Sequence, residues 1–406
     1  MNNFVSDSFK NKNVLLGITG GIAAYKACLI IRELVTRGAD VKVVMTPAAS
    51  EFITPLTLST LSGNDVVVKS FPASQKEGVS LRTWHIETAL WADIMLIAPL
   101  TINTLAKISC GMADNALTTM VSAIRSPLVL APAADLDMYQ KPSTLENINK
   151  LTDRGSFIID AEIGFLASGL TGPGRMASVE KIIDATELVL SGYKKDLVGK
   201  RILITAGPTL EDIDPVRFIG NRSSGKMGYK LANSAFLRGA DVTLISGPTN
   251  ENTYPEVKVI YVRSAAEMKI AVEYELKKND ILIKAAAVAD YKPSVFNEIK
   301  LKKENKLKSI ELSETEDILA SINKENKIVV GFALETDNEI TNAKSKLDKK
   351  NLDMIVLNSL KDSGAGFESD TNKISIIKKD GNKKDFDLNT KFQIANNILT
   401  ELKTIK

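Results

Sequence analysis

His85 is the only histidine in the chain, so imidazole proton transfer near neutral pH falls to that residue alone. It opens HIETALWAD (His85–Asp93), a helical stretch that leads into the apolar run DIMLIAP (Asp93–Pro99). Polar turns gather at the ends of such runs. Thr46-Pro47 follows VKVVM, Pro99 to Thr104 reads PLTINT, and Pro132 to Tyr139 reads PAADLDMY. In GITGGIAAYK (Gly17–Lys26) a strand meets a helix through Gly20 and Gly21, which suits backbone N–H groups approaching an anion at a helix N-terminus. The spacing is not GxGxxG and no acid closes the second strand, which argues against NAD. Other phosphorylated ligands and a plain tight turn both stay open. LASGLTGPGRM (Leu166–Met176) carries Gly169, Gly172 and Gly174 with Ser168 and Arg175, but no acid, thiol or imidazole. Pro173 removes a donor N–H there, and nothing marks a strand-to-helix phosphate turn.

The second half offers a different set. TAGPTLEDIDPVRFIGNRSSGKMG (Thr205–Gly228) reads as a polar loop of some 20 residues bearing Asn221, Arg222 and Lys226, long enough to be functional rather than a mere connection. Its SSGKMG resembles a Walker A ending, but the GxxxxGK[ST] frame is missing. Asp290 follows a strand in AAAVADYKP, and KLKK supplies Lys300, Lys302 and Lys303, a group that alone reads as a solvated basic patch. Phe332 ends another strand in VGFALET, and Lys346 and Lys350 share one helix face. Lysines, an aspartate and an aromatic at strand ends suit a nucleoside triphosphate with Mg²⁺, though the ligands of the metal are not legible.

The elements that position these residues alternate throughout. Strand-like runs begin at Asn13, Val41, Asp93 and Pro127, and again at Arg201, Val242, Asp280, Lys327 and Leu352. This is the βαβ rhythm of two doubly wound, Rossmann-like α/β halves, with a hairpin turning at Asp380-Gly381 before a final helix from about Thr390. A helix is expected over 22–36. At 406 residues the chain exceeds one core, and the break is placed at 1–195 and 196–406. Both halves carry the phrase RGADV, at Arg37 and Arg238, the glycine left-handed turn that ends a helix before a strand. A net charge of +3 argues against nucleic-acid or membrane-surface partners. No apolar run of about 18 residues is present, and the start lacks an apolar leader segment, so the cytoplasm is expected. Cys28 and Cys110 are too few for a disulfide framework or zinc cluster.

Taken together, the chain resembles the bifunctional coenzyme A biosynthesis flavoproteins, in which phosphopantothenoylcysteine decarboxylase is fused to phosphopantothenate–cysteine ligase. GITGGIAAYK, FITPLTLSTLSG, HIETALWAD and GPGRM carry the resemblance in the first half. AGPTLEDIDPVRFIGNRSSGKMG, AAAVADYKP, KLKK, GFALET and KKNLDMIVLN carry it in the second. The resemblance implies a flavodoxin-like FMN-binding half, with Gly20, Gly21, Thr46, Pro99, Thr101 and Thr104 at the cofactor. It also implies a CTP-binding half, with Asp290, Lys300, Asp317, Ile318, Phe332, Lys346 and Lys350 at the nucleotide. In the ligase reaction 4′-phosphopantothenate attacks CTP to give an acyl-cytidylate, on which Asn221 acts, and cysteine displaces CMP; Lys300 is expected to stabilise phosphate charge. In the decarboxylase reaction FMN oxidises the cysteinyl thiol of 4′-phosphopantothenoylcysteine, CO₂ leaves, and the enethiol is reduced to 4′-phosphopantetheine. His85 matches the catalytic histidine. The resemblance recasts LASGLTGPGRM as a mobile substrate lid hinged on its glycines, and implies a homo-oligomer of trimers and dimers, up to a dodecamer.

Two positions depart from the family pattern. PAADLDMY stands where the family reads PxMNxxMW, so Asp135 replaces an asparagine, Ala134 a methionine and Tyr139 a tryptophan. An ionised aspartate only accepts hydrogen bonds and repels a departing carboxylate. Ser168 stands where complete decarboxylases carry a cysteine proton donor, and an alcohol is a far weaker acid than a thiol of pKa about 8.5. Three readings follow: a full bifunctional enzyme with another acid, Cys110 among the candidates; an active ligase whose flavin half stops at the enethiol or is degenerate; and a non-catalytic flavin-binding regulatory protein.

Overall fold

The apolar runs form strands because each is buried on both faces. A computed structural model describes residues 8–70, 83–302, 309–335, 337–359 and 369–405. The chain divides into two compact units, Ser6–Lys194 and Lys195–Lys406. The first holds β1 (Asn13–Ile18), β2 (Asp40–Met45), β3 (Val66–Val67), β4 (Ile94–Leu100), β5 (Leu128–Pro132) and β6 (Phe157–Ile158). These make one parallel sheet in the order β3-β2-β1-β4-β5-β6. Every residue of β4 is buried, as a parallel sheet covered on both faces requires. The helix expected over 22–36 is instead a 3₁₀ turn, Ile22–Lys26, running into an α-helix, Ala27–Thr36. Gly21 offers no capping side chain, and an uncapped first turn tightens to satisfy its own donors. LASGLTGPGRM lies in an antiparallel hairpin, β7 (Glu162–Phe165) and β8 (Thr171–Arg175).

The second unit contains β9 (Arg201–Ala206), β10 (Leu210–Asp212), β11 (Phe218–Gly220), β12 (Asp241–Ser246), β13 (Lys258–Tyr261) and β14 (Ile281–Lys284). It continues with β15 (Tyr291–Pro293), β16 (Leu312–Glu314), β17 (Ile328–Glu335), β18 (Met354–Ser359), β19 (Thr371–Lys378) and β20 (Lys383–Thr390). Eight of these form a sheet in the order β13-β12-β9-β14-β17-β18-β19-β20. It is parallel through β18, and the β19–β20 hairpin extends it antiparallel. That hairpin turns where expected, with Gly381 at φ +85°. The stretch read as a 20-residue loop is partly regular: β10 and β11 pair within it. A tertiary grip forces that pairing, since Arg263 donates to Asp212 at 2.7 and 2.8 Å and its carbonyl accepts from Leu210 N at 2.8 Å. Among the described residues no helix is long and apolar enough to cross a membrane.

The two RGADV turns share their backbone: Gly38 and Gly239 sit at φ +88° and +91°, where a β-carbon is strained. Their arginines do different work. Arg37 donates to Glu187 at 2.6 Å. Arg238 is fully buried and forks onto both carboxylate oxygens of Asp196 at 2.8 and 3.0 Å. Its third nitrogen donates to the Asn396 carbonyl at 2.9 Å and to the Thr400 hydroxyl at 3.1 Å. It thus binds the C-terminal end of helix Lys226–Leu237 to helix Lys391–Leu402. Burial alone raises the Asp196 pKa; hydrogen bonds from Arg238 and Lys403 outweigh it and hold the carboxyl below the usual carboxylate range. Arg238→Ala leaves the Asp196 carboxylate with Lys403 alone and removes the donor to the Asn396 carbonyl and the Thr400 hydroxyl. We expect a loss of about 3–5 kcal/mol in urea unfolding of the second unit; an unchanged midpoint contradicts this role.

Candidate functional site

In the first unit the strand order reverses between β1 and β4, so the chain leaves these neighbours toward opposite faces and opens a crevice at their carboxyl ends. Thr19 stitches its rim. Its N–H and hydroxyl donate to the Pro99 carbonyl at 3.2 and 2.8 Å, and Thr101 N–H donates to its hydroxyl at 2.8 Å. Thr101 caps helix Ile102–Cys110 without a side-chain bond to the helix amides and donates instead to Thr104 Oγ1 at 3.3 Å. The amides of that first turn therefore face the crevice end of the helix with their positive dipole. Gly20, Gly21, Pro99, Thr101 and Thr104 come together here as expected. Gly20 has a second reason to be glycine, since a β-carbon there lies 2.7 Å from the Ala48 backbone.

Thr46 ends β2 at the same edge. Its Oγ1 and that of neighbouring Ser50 are buried and make no hydrogen bond among the described residues. A buried hydroxyl without a partner costs about 1–3 kcal/mol, and a polar ligand at this rim would offset it. The threonines and the helix amides fit the ribityl and phosphate chemistry of a flavin nucleotide, and Thr46, Thr101 and Thr104 are the residues that would hold it.

The substrate-side residues are more scattered. His85 lies half-buried in the first turn of helix Trp84–Trp91, its ring edge-on to Trp84 at 5.7 Å. Asp135 precedes the short helix Leu136–Tyr139 and makes no capping bond. Ser168 is exposed at the tip of the β7–β8 hairpin, its oxygen accepting from Leu170 N at 3.4 Å. No hydrogen bond joins His85, Asp135 and Ser168 among the described residues. Tyr139 OH accepts from Ala161 N at 3.3 Å, and burial raises its pKa. Cys110, the candidate acid, is exposed.

The hinge reading of the glycines in this hairpin is corrected. A β-carbon on Gly172 lies 2.5 Å from Leu136, and one on Gly174, at φ +138°, lies 2.4 Å from the Ala134 carbonyl. That carbonyl's own residue donates its N–H to Gly174 O at 2.9 Å. Both glycines therefore press β8 onto the PAADLDMY segment; only Gly169, at φ +89° with open space around it, is a free turn. Lys26, missed as a functional residue, pins the foot of the hairpin by donating to Met176 O at 2.9 Å and Ala177 O at 3.3 Å. Burial pushes its ammonium down, Arg175 adds to that, and Glu162 opposes it.

In the second unit the order reverses between β9 and β14, and a cavity of about 780 Å³ opens there. Asn221, Asp290, Asp317, Ile318, Phe332, Lys346 and Lys350 all line it. Lys346 donates to the Phe332 carbonyl at 2.9 Å, Lys350 pairs with Asp317, and Asp317 accepts from Leu319 N at 2.9 Å. Asn221 donates to the Ala287 and Val288 carbonyls at 3.3 and 2.9 Å. Lys300 does not line the cavity: it is exposed, and the next residue, Leu301, is tied to Asp214 and Arg217. Lys303 lies outside the described residues. Lys284, the last residue of β14, lines the cavity in its place. Burial, reinforced by Lys346 and opposed by Asp317 and Asp290, pushes its ammonium down to about 8. A lysine ending an otherwise apolar strand, ILIK, was the available signal. At the far side of β9, Gly225 at φ +80° starts helix Lys226–Leu237, and Gly228 lets that helix touch Ala206, where a β-carbon lies at 2.5 Å.

Comparison with known proteins covers both units. A Flavoprotein family model matches residues 3–191, and the DNA/pantothenate metabolism flavoprotein C-terminal domain matches residues 197–405. The chain is 49% identical over 360 residues to a cysteine/cysteine sulfinic acid decarboxylase of an unknown prokaryotic organism, covering 87% of this chain and 99% of the relative. It is 42% identical over 396 residues to the coenzyme A biosynthesis bifunctional protein CoaBC of Bacillus subtilis, covering 97% of each. Among solved structures, the C-terminal domain of a CoaBC protein aligns with TM-score 0.44 and 42% identity, over 51% of this chain and 95% of that one. The packing found for Gly174 gives a direct expectation. Gly174→Ala drives a methyl into the Ala134 carbonyl, so the first unit should melt several degrees lower while the second is unmoved, as read by calorimetry. Equal melting of the two proteins contradicts the packing role.

Proposed function

The chain belongs to the bifunctional coenzyme A biosynthesis flavoproteins, and we infer that it joins 4′-phosphopantothenate to cysteine with CTP and then converts 4′-phosphopantothenoylcysteine to 4′-phosphopantetheine. It is a bifunctional enzyme, ligase and decarboxylase, and its first unit is a flavoprotein. The observation that most supports the full reading is that each unit keeps a chemically distinct site at its own switch point. One is a threonine-lined crevice with a buried hydroxyl awaiting a partner; the other is a lysine-lined cavity of about 780 Å³.

In the ligase unit a carboxylate oxygen of phosphopantothenate attacks the α-phosphorus of CTP, and the bond to pyrophosphate breaks with its electron pair leaving on that group. The cysteine amine then attacks the acyl carbon, loses a proton and expels CMP. Lys284, Lys346 and Lys350 supply fixed positive charge where phosphate charge grows, and Lys300 no longer carries that role in our account. The Asn221 amide is placed to donate to the acyl-phosphate, and Asp290 with Phe332 would bound the base. Mg²⁺ is proposed to arrive on the triphosphate. Among the described residues no group of three acidic, histidine or cysteine side chains is set to hold a metal.

In the decarboxylase unit a bound FMN supplies a reversible two-electron oxidation at the cysteinyl carbon of the substrate. Thr46, Thr101 and Thr104 would hold it by hydroxyls and helix amides. Asp135 is the residue proposed to face the substrate carboxylate, with a partner other than the one an asparagine amide would offer, since a carboxylate only accepts hydrogen bonds. His85 is the proposed proton-transfer group, and Ser168 cannot serve as a thiol does. We place the enzyme in the cytoplasm as a homo-oligomer. A second reading, with free cysteine as the decarboxylase substrate, draws on the relative named for that activity.

Two expectations test the sites. Thr46→Val should leave flavin-free stability within about 1 kcal/mol while weakening FMN retention about tenfold, measured by fluorescence of released FMN on dilution. Unchanged retention contradicts the site. For the ligase, phosphates beside Lys284 favour its charged form and raise a pKa that lies near 8 in the free protein. CTP binding at pH 8.5 should therefore take up protons, and at pH 6.5, where the lysine is already charged, should not. Calorimetry in buffers of different ionisation enthalpy reads this, and Lys284→Met should remove part of the uptake. Proton-neutral binding at pH 8.5 contradicts the assignment.

A further inference from the structure

One side chain of the first unit joins the turn at the flavin crevice to the hairpin that bears Ser168. Lys26 is the last residue of the 3₁₀ turn Ile22–Lys26, which leaves β1 through Gly20 and Gly21. It is only 9% exposed, and its ammonium donates to the Met176 carbonyl at 2.9 Å and the Ala177 carbonyl at 3.3 Å. No carboxylate pairs with it among the described residues. Met176 and Ala177 are buried in turn, so the lysine supplies hydrogen bonds that water does not. Both lie between β8 and Ser178, which caps helix Val179–Leu190. The other strand is tied at the same place: Ser178 N donates at 2.7 Å to Glu162 Oε1, at the start of β7. Two residues before Met176, Gly174 O accepts from Ala134 N at 2.9 Å, next to Asp135.

We propose that Lys26 is a positioning residue for the flavin reaction, the tie through which the crevice turn sets the hairpin and the Ala134–Asp135 segment. An ammonium is costly to bury, and a methionine of similar length would fill the same space at less cost. What a methionine lacks is the pair of donated bonds, so the charge is there for what it holds. The two ends of the tie belong to different parts of the site. Gly20 and Gly21 stand at the crevice rim, where a bound flavin orders the turn. Asp135 and Ser168 stand on the segments that face the substrate. Ordering at the crevice therefore reaches the hairpin through Lys26, and the coupling is reciprocal. The proposal rests on the flavin reading of the first unit.

The test compares the full chain free of flavin and loaded with FMN, reading hydrogen exchange of peptides over residues 162–176 by mass spectrometry. In the unaltered protein FMN should slow exchange of the hairpin amides about tenfold. Lys26→Met should abolish that slowing, while β1 and β4 keep their protection and FMN affinity stays within about threefold. In FMN-saturated protein the same variant should lower kcat for CO₂ release from 4′-phosphopantothenoylcysteine about tenfold and leave KM within about threefold, because orientation is what it loses. A hairpin that FMN does not slow, slowing that persists in Lys26→Met, or an unchanged kcat overturns the proposal. If Lys26→Met does not fold, Lys26→Gln, a neutral donor too short to reach both carbonyls, takes its place under the same readings. A chain that binds no FMN overturns the flavin reading and the proposal with it. One that binds FMN and shows the tie by exchange, but releases no CO₂, overturns the decarboxylase reading and not this one.

Discussion

A parallel sheet whose strand order reverses leaves an opening that its own helices cannot cover, because the connections on either side of the reversal run to opposite faces. Both units obey that constraint, at β1/β4 and at β9/β14, and each gathers its candidate site residues there. In the first, Thr19 ties the two strand ends through Pro99 and Thr101. In the second, the Ala206–Gly228 contact brings a helix start to the opening.

Charge and close contact then decide how the helices behind these openings are held. Arg238 commits its whole guanidinium to Asp196, Asn396 and Thr400, tying the C-terminal end of one helix to the later turns of the other. Lys26 does comparable work at the foot of the β7–β8 hairpin. Gly172 and Gly174 of that hairpin are fixed by their neighbours, Leu136 and Ala134, so the tip bearing Ser168 projects from a braced base.

Much of this was legible in the sequence because strand burial and helix-end turns are local signals. Apolar runs gave the strands, RGADV gave two helix stops, and Asp380-Gly381 gave the hairpin. The β10–β11 pair was not legible, since three-residue strands carry no alternation and Arg263, some fifty residues on, holds one of them in place. Six of the seven residues expected at the nucleotide line the cavity, while Lys300 does not. Lys284 and Lys26 escaped notice for a shared reason: their meaning comes from burial beside groups that are distant in the chain. The roles of Gly172 and Gly174 likewise depend on a segment more than thirty residues earlier.

The central claim is that one chain performs both reactions to completion, although Ser168 stands where a thiol is expected. The direct measurement supplies the purified, flavin-loaded protein with 4′-phosphopantothenate, cysteine, CTP and Mg²⁺ and follows products by mass spectrometry. The account predicts 4′-phosphopantetheine, with CMP, pyrophosphate and CO₂ in equal amounts. Accumulation of 4′-phosphopantothenoylcysteine, of a product two hydrogens lighter than phosphopantetheine, or of CO₂ from free cysteine alone contradicts it.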